Sequence, residues 1–247
     1  MRSRIVFITG TDTGVGKTVL TSLLARFLRE RDFAVAALKP ICSGGRNDAR
    51  ILQAALNGAV PLEQINPWSF RAPLAPRLAA RQERRRLQAA EVLGHVRKVR
   101  GDFDIVLIEG AGGLLSPLGE DFDARDLIIA LRAIPLIVCP NRLGALNQAR
   151  LVISALPAAT AREAQLVLVS APRHDLASRT NPGMLAEFLG AGRVCVFPWL
   201  RRTRPAEHAL KDRCARQALE VIAQRLTSQG RCPPRPTPRS FGLGPAE

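Results

Sequence analysis

The chain has 247 residues, 47% of them hydrophobic, and carries 36 Lys and Arg against 21 Asp and Glu, a formal net charge of +15. That length suits one hydrophobic core of ordinary density, and no run approaches the ~18 apolar residues of a membrane span. The five cysteines, Cys42, Cys139, Cys195, Cys214 and Cys232, are odd in number and form no C-x-x-C pair, which excludes a disulfide framework or zinc site as the organising feature.

Met1-Arg2-Ser3-Arg4 leads directly into a strand-like run, so no signal peptide is expected and the cytoplasm is the expected compartment. Ile5 to Thr9 is predicted as the first strand, Lys17 to Arg31 as a helix, and Ala34 to Lys39 as a second strand. The proline-punctuated stretch Asn66-Pro67-Trp68-Ser69-Phe70-Arg71-Ala72-Pro73 reads as a surface excursion, and Ile105 to Ile108 as a buried central strand. Further strands are expected at Ile134 to Cys139, Gln165 to Ser170 and Arg193 to Phe197. Helical segments near Asn147 to Leu156 and Asn181 to Leu189 separate them, and a last helix covers Ala206 to Leu226. Alternating strands and helices predict an α/β fold, a doubly wound, mostly parallel sheet flanked by helices. Residues 1–227 read as a single domain. Residues 228–247 turn to Pro, Arg, Gly and Ser, a composition unable to bury enough apolar surface to order itself, and are expected to form a disordered Pro/Arg-rich tail.

The basic excess clusters at Arg71 to Arg100 and Arg201 to Arg216, but Glu83 and Glu91 are interleaved and aromatics are scarce. A solvated helix face accounts for this pattern, so neither nucleic acid nor a membrane is an expected partner. A basic surface also suits anionic substrates.

Between the first strand and the first helix runs Gly10-Thr11-Asp12-Thr13-Gly14-Val15-Gly16-Lys17-Thr18. A strand, a glycine-bearing loop and Gly-Lys-Thr opening a helix point backbone N–H groups and the positive helix end at a polyphosphate. The consensus glycine is displaced by one position here, with Thr11 standing in its place. Lys17 would neutralise phosphate charge and the Thr18 hydroxyl would reach magnesium. Thr13, Gly14, Val15, Gly16, Lys17 and Thr18, with Glu109 and Gly112, are the expected nucleotide-binding residues. A phosphate loop needs a carboxylate from a neighbouring strand end to hold the metal. Glu109 ends an apolar run and precedes Gly110-Ala111-Gly112-Gly113, where backbone can approach a ligand closely. Asp48 is a second candidate. Lys39, closing the second strand, would share the crevice with Lys17, and these two are the expected catalytic lysines.

Together these residues resemble the dethiobiotin synthetase family, which closes a ureido ring on 7,8-diaminopelargonic acid with carbon dioxide and ATP. The nine-residue loop resembles that family's own variant. Lys39-Pro40-Ile41-Cys42-Ser43-Gly44, Asp48-Ala49, Asn66-Pro67-Trp68-Ser69-Phe70, Glu109-Gly110-Ala111-Gly112-Gly113, Leu143-Gly144-Ala145-Leu146-Asn147 and Pro198-Trp199-Leu200 are similar to its later motifs, in the same order. The resemblance implies that Thr18, Asp48 and Glu109 hold Mg2+, and that Lys17 stabilises the transferring phosphate. It implies that Thr13, Lys39 and Ser43 contact the carbamate and diamine. The loop of Leu143, Gly144, Ala145, Leu146 and Asn147 would receive the distal carboxylate across a homodimer interface. Where the family has an adenine-binding asparagine and aspartate, this chain has Ser170-Ala171-Pro172, which implies a looser or different base preference.

A partitioning-type switch ATPase acting on DNA or a membrane surface is the rival reading. It usually carries an additional lysine early in the phosphate loop, where this chain has Thr11, Asp12 and Thr13. A nucleic-acid-binding module on the basic segment would leave Lys17, Lys39 and Glu109 without a purpose.

Overall fold

The structure, a computed structural model, describes residues 3–190, 192–200 and 206–228. Strand β1 (Arg4–Gly10) leads into α1 (Lys17–Arg29), followed by β2 (Val35–Leu38), β3 (Ile41–Ser43), α2 (Asn47–Ala55), α3 (Leu62–Ile65) and β4 (Trp68–Phe70). Next come α4 (Pro76–Gln82), α5 (Ala89–Val99), β5 (Ile105–Glu109), α6 (Ala124–Leu131), β6 (Ile134–Pro140), α7 (Ala145–Ser154) and α8 (Ala158–Glu163). The described chain closes with β7 (Gln165–Val169), α9 (Leu176–Leu189), β8 (Val194–Phe197), α10 (Ala206–Lys211) and α11 (Arg213–Ser228).

Six strands form one sheet in the order β2-β5-β1-β6-β7-β8, and every neighbouring pair is parallel. This is the doubly wound α/β sheet expected from the sequence. Helices cover both faces, so the central strands read as continuous apolar runs rather than alternating ones, and all five residues of β5 are buried. On α1, Leu20, Leu23, Leu24, Phe27 and Leu28 recur at the spacing of one helical face, and all are buried. Arg26 and Arg29 in its last turn complement the helix dipole.

Three elements differ from the sequence reading. The stretch from Asn66 to Pro73 is not a surface excursion throughout: β4 pairs in parallel with β3, Trp68 opposite Ile41 and Phe70 opposite Ser43, with Asn66 and Phe70 buried. Its prolines flank the strand instead of interrupting it, and three residues are too few to show periodicity. Helix α9 starts at Leu176, well before Asn181, because Asp175 caps it: the Ser178 N–H donates to Asp175 Oδ1 at 2.7 Å and the Asp175 N–H to Ser178 Oγ at 2.9 Å. Pro182 therefore lies inside the helix rather than near its start. The last helix is two, divided at Asp212, whose carboxylate accepts the Ala215 N–H at 3.0 Å and caps α11. Of the expected tail, residues 229–247 lie outside the described residues. Among the described residues no helix is long and apolar enough to cross a membrane.

Candidate active site

Strand register assembles the site. Leu38 lies opposite Ile108, and Ile8 opposite Glu109. Lys39 and Glu109 therefore leave adjacent strands together, beside the loop that follows Gly10. Pro140, Val169 and Phe197 end the other half of the sheet in the same register. All six strands thus open onto one crevice at their carboxyl ends, where the order reverses about β1 and where ligands of such sheets bind.

Glycines in the phosphate loop answer specific demands. Gly14 and Gly16 have φ of +74° and +100°, in the left-handed region that favours glycine. A Cβ at Gly10 would stand 2.7 Å from Val15 Cγ2 and 3.3 Å from Lys17 Nζ. Without one, the Lys17 side chain folds back over its own loop and Nζ donates to the Asp12 carbonyl at 2.8 Å. Burial, then the positive charge of Lys39, lower the Lys17 pKa from 10.5 to about 8, against the opposing pull of Glu109 and Asp48.

Lys39 is the hub of the acidic cluster. Its Nζ donates to Glu109 Oε1 at 2.6 Å and to the Gly110 carbonyl at 3.0 Å, and lies 3.3 Å from Asp48 Oδ2. Burial pulls its pKa down, but the Glu109 and Asp48 carboxylates outweigh that and hold it above 10.5, so the ammonium stays charged. The Thr18 hydroxyl donates to Glu109 Oε1 at 2.7 Å. Glu109 Oε2 is buried with no hydrogen-bond partner. A buried carboxylate oxygen without a donor, beside a hydroxyl and a second carboxylate, is a donor set for a hard cation such as Mg2+, which binds few protein ligands and completes its shell with water and phosphate oxygens. Among the described residues no cluster of three or more His, Cys, Asp and Glu side chains forms a metal cage.

The loop after β5 faces the phosphate loop. Gly112 has φ +71°, and a Cβ there would approach Ser116 Oγ to 2.4 Å and Thr13 Oγ1 to 3.8 Å. Ser116 Oγ accepts the Gly113 N–H at 2.9 Å. Thr13 is exposed and Ser43 half-buried at the end of β3. Leu143 to Asn147 opens α7 at the same edge: Gly144 takes φ +91°, Leu143 is 82% exposed, Asn147 is exposed, and Ala145 is buried in the core. Ser170, Ala171 and Pro172 line a cleft of about 340 Å³ with His174, Val196, Pro198, Trp199 and Cys214. A larger cleft of about 600 Å³ lies at the other end of α1. It contains none of the residues of the carboxylate cluster, so volume alone would point away from the chemistry.

Sequence reasoning gave no role to three residues at this site. Asn66 is fully buried, and its amide donates to the carbonyls of Lys39 and Pro40 at 2.7 and 3.2 Å. Arg46 donates through Nε to Asn66 Oδ1 at 3.1 Å. The Cys42 thiol is buried beside the cluster, and burial pushes its pKa up to about 11 although Lys39 pulls the other way. Asn66 and Cys42 stand in segments that resemble the family's motifs, the available signal for both, whereas Arg46 carried none.

A family model described as an AAA domain matches residues 4–207. The ATP-dependent dethiobiotin synthetase BioD of Anaeromyxobacter sp. (strain Fw109-5) is 38% identical over 217 residues, covering 86% of this chain and 97% of the relative. The protein of that name from Bacillus subtilis (strain 168) is 33% identical over 216 residues, covering 83% and 93%. Among solved structures, the MinD cell division protein of Aquifex aeolicus is similar with a TM-score of 0.58 at 17% identity, covering 92% of this chain and 98% of that one. The pNOB8 ParA protein bound to nonspecific DNA has a TM-score of 0.58 at 13% identity, covering 92% and 100%. At those identities the structural likeness establishes the fold alone.

Proposed function

This chain belongs to the ATP-dependent dethiobiotin synthetase family, and from that premise we infer that its crevice closes the ureido ring of dethiobiotin. The substrates are 7,8-diaminopelargonic acid, carbon dioxide and ATP. One amine attacks carbon dioxide and loses a proton, giving a carbamate. A carbamate oxygen attacks the γ-phosphorus and ADP departs. The second amine then attacks the carbamoyl carbon, releasing phosphate and closing the ring.

The observation that carries this reading is the convergence of Lys17, Thr18, Lys39, Asp48 and Glu109 at one sheet edge. Lys17 leaves the Asp12 carbonyl to stabilise negative charge on the transferring phosphoryl group. Lys39, kept protonated by its carboxylates, orients the carbamate with Thr13 and Ser43. Gly14, Val15, Gly16 and Gly112 hold the nucleotide through backbone, the glycines having no side chain and that of Val15 being buried in the core. Thr18, Asp48 and Glu109 would hold Mg2+, which offsets charge on the phosphate oxygens when bound. No side chain acts as a covalent nucleophile.

The nucleotide base belongs in the cleft beside Ser170, Ala171 and Pro172. A homodimer is part of the reading, with Leu143 to Asn147 receiving the substrate carboxylate across the interface. Exposed Leu143, Leu151, Met184 and Phe188 support it; within the chain the Arg150 guanidinium stands 4.3 Å over the Phe188 ring and joins α7 to α9. ATP use and the buried free thiols of Cys42, Cys139 and Cys195 favour the cytoplasm.

The test is mass spectrometry of the product from 7,8-diaminopelargonate, bicarbonate, magnesium and ATP, with Lys17→Ala and Glu109→Ala beside wild type. Dethiobiotin from wild type and none from either variant is expected. Intact protein that makes none, but hydrolyses ATP in response to DNA or lipid, would replace this reading with the switch ATPase.

A further inference from the structure

Asp48 reaches the cluster from an unpromising place. It lies in the first turn of α2, its carboxylate is 46% exposed, and the connection from β3 to α2 runs through Gly44 and Gly45 at φ +78° and +112°. Two adjacent glycines leave the helix start free to shift unless something else fixes it.

Buried Ala49 and Leu52 seat α2 on the core and the Gly44 N–H donates to the Phe70 carbonyl at 3.1 Å; Arg46, the residue before α2, adds a directional polar tie. Its Nε donates to Asn66 Oδ1 at 3.1 Å, and Nη2 donates to the Asn66 carbonyl at 2.8 Å and the Leu62 carbonyl at 3.3 Å. The Asn66 amide then passes the constraint on, donating to the Lys39 carbonyl at 2.7 Å, the Pro40 carbonyl at 3.2 Å and the Trp68 carbonyl at 3.3 Å. The Lys39 N–H is held in turn by the Ile65 carbonyl at 2.9 Å. The chain of contacts closes on itself: Lys39 backbone, Asn66, Arg46, Asn47, Asp48, and back to Lys39 Nζ at 3.3 Å. A planar guanidinium suits this role because it donates in a fixed fork to two oxygens of one residue. Glu63 Oε1 also lies 3.8 Å from Arg46 Nη1, but Glu63 is largely exposed and its pull is weak.

We propose that Arg46 is a positioning residue which, through Asn66, holds the Asp48 carboxylate at the distance from Lys39 and Glu109 that divalent-cation binding requires. The inference rests on the reading of Thr18, Asp48 and Glu109 as metal ligands. Arg46 is not among the residues proposed to hold nucleotide or cation. Its effect on cation binding runs through the placement of Asp48 relative to Lys39.

The experiment titrates Mn2+ into wild-type protein saturated with a non-hydrolysable ATP analogue, reading free Mn2+ by electron paramagnetic resonance. Arg46→Ala, Asp48→Ala and the double variant are compared, with circular dichroism to establish folding. Arg46→Ala is expected to weaken Mn2+ binding about tenfold, as loss of a partner that orients a ligand does. Adding Asp48→Ala to it should weaken binding no further than Asp48→Ala alone. Arg46→Gln, which keeps one donor of the fork, should fall between wild type and Arg46→Ala and serves if the alanine variant does not fold. Additive losses would make Arg46 merely structural and overturn the proposal. Normal Mn2+ binding in Arg46→Ala or Arg46→Gln, with Asp48→Ala impaired, would overturn it while leaving the metal reading intact. Mn2+ binding unaffected by Asp48→Ala would remove both.

Discussion

Lys39 and Glu109 stand side by side because β2 and β5 are in register, and their charged groups meet at 2.6 Å with both side chains almost fully buried. A buried charge survives only with compensation, so each explains the other.

Removing one partner leaves the other uncompensated. Lys39→Met is expected to destabilise the nucleotide-free protein by about 3 kcal/mol, read from urea unfolding, and Lys39→Met with Glu109→Gln should recover a good part of that loss. An unchanged urea midpoint in the single variant would show that Lys39 does not compensate Glu109.

Lys17 makes stability depend on pH in a defined direction. Its folded pKa of about 8 lies below the ordinary 10.5, so between these values the unfolded chain binds more protons. Stability should therefore rise as pH increases from about 8. Cys42 acts oppositely above 9.0, because its folded pKa of about 11 keeps the thiol protonated in the native state. The Lys17 effect is thus clearest between 8 and 9, and Lys17→Met should flatten it. Bound phosphate should raise the lysine's pKa, so ATP binding at pH 8 should take up protons, measurable by calorimetry in buffers of different ionisation heat. Proton release would contradict this.

At Gly112, φ of +71° and the 2.4 Å approach to Ser116 Oγ act independently. Gly112→Ala should lower thermal stability and weaken nucleotide binding. Ser116→Ala in that background should restore only part, since it removes the 2.4 Å contact with Oγ but leaves the 2.9 Å contact with Cβ and the backbone strain. Full restoration would mean the backbone tolerates the side chain.

Thiol chemistry should separate the cysteines. Cys214 is exposed and Cys42 is buried with a pKa of about 11. Only about one Cys42 thiol in a thousand is ionised at pH 8, before any cost of access. In native protein iodoacetamide should label Cys214 and leave Cys42 unmodified, as peptide mass spectrometry would show. Rapid labelling of Cys42 would mean that the β3 segment opens.

The cleft proposed for the base offers Ser170, whose N–H already donates to the Phe197 carbonyl at 2.9 Å. A pocket without dedicated buried partners for a base edge rejects the wrong base weakly. CTP and GTP should support kcat/KM within about tenfold of ATP; strong selectivity for ATP would show that other groups read the base.

The alternation of apolar strands and helices in the sequence determined the parallel sheet, since strands covered on both faces leave no polar periodicity. It also determined the phosphate loop, because Gly16-Lys17-Thr18 after a strand is a local geometry encoded in consecutive residues. Glu109 was legible for a similar reason: a carboxylate ending an apolar run needs a partner. What that partner was, only the tertiary structure decided. Lys39 meets Glu109 and Asp48 through strand register and the placement of α2, relations between segments far apart in sequence. The strand at Trp68–Phe70, the helix start set by Asp175 and the link from Arg46 through Asn66 to Lys39 were hidden likewise. Each depends on a single hydrogen-bonding side chain or a three-residue pairing, which leaves no periodic trace along a chain and exists only once distant backbone has been brought within about 3 Å.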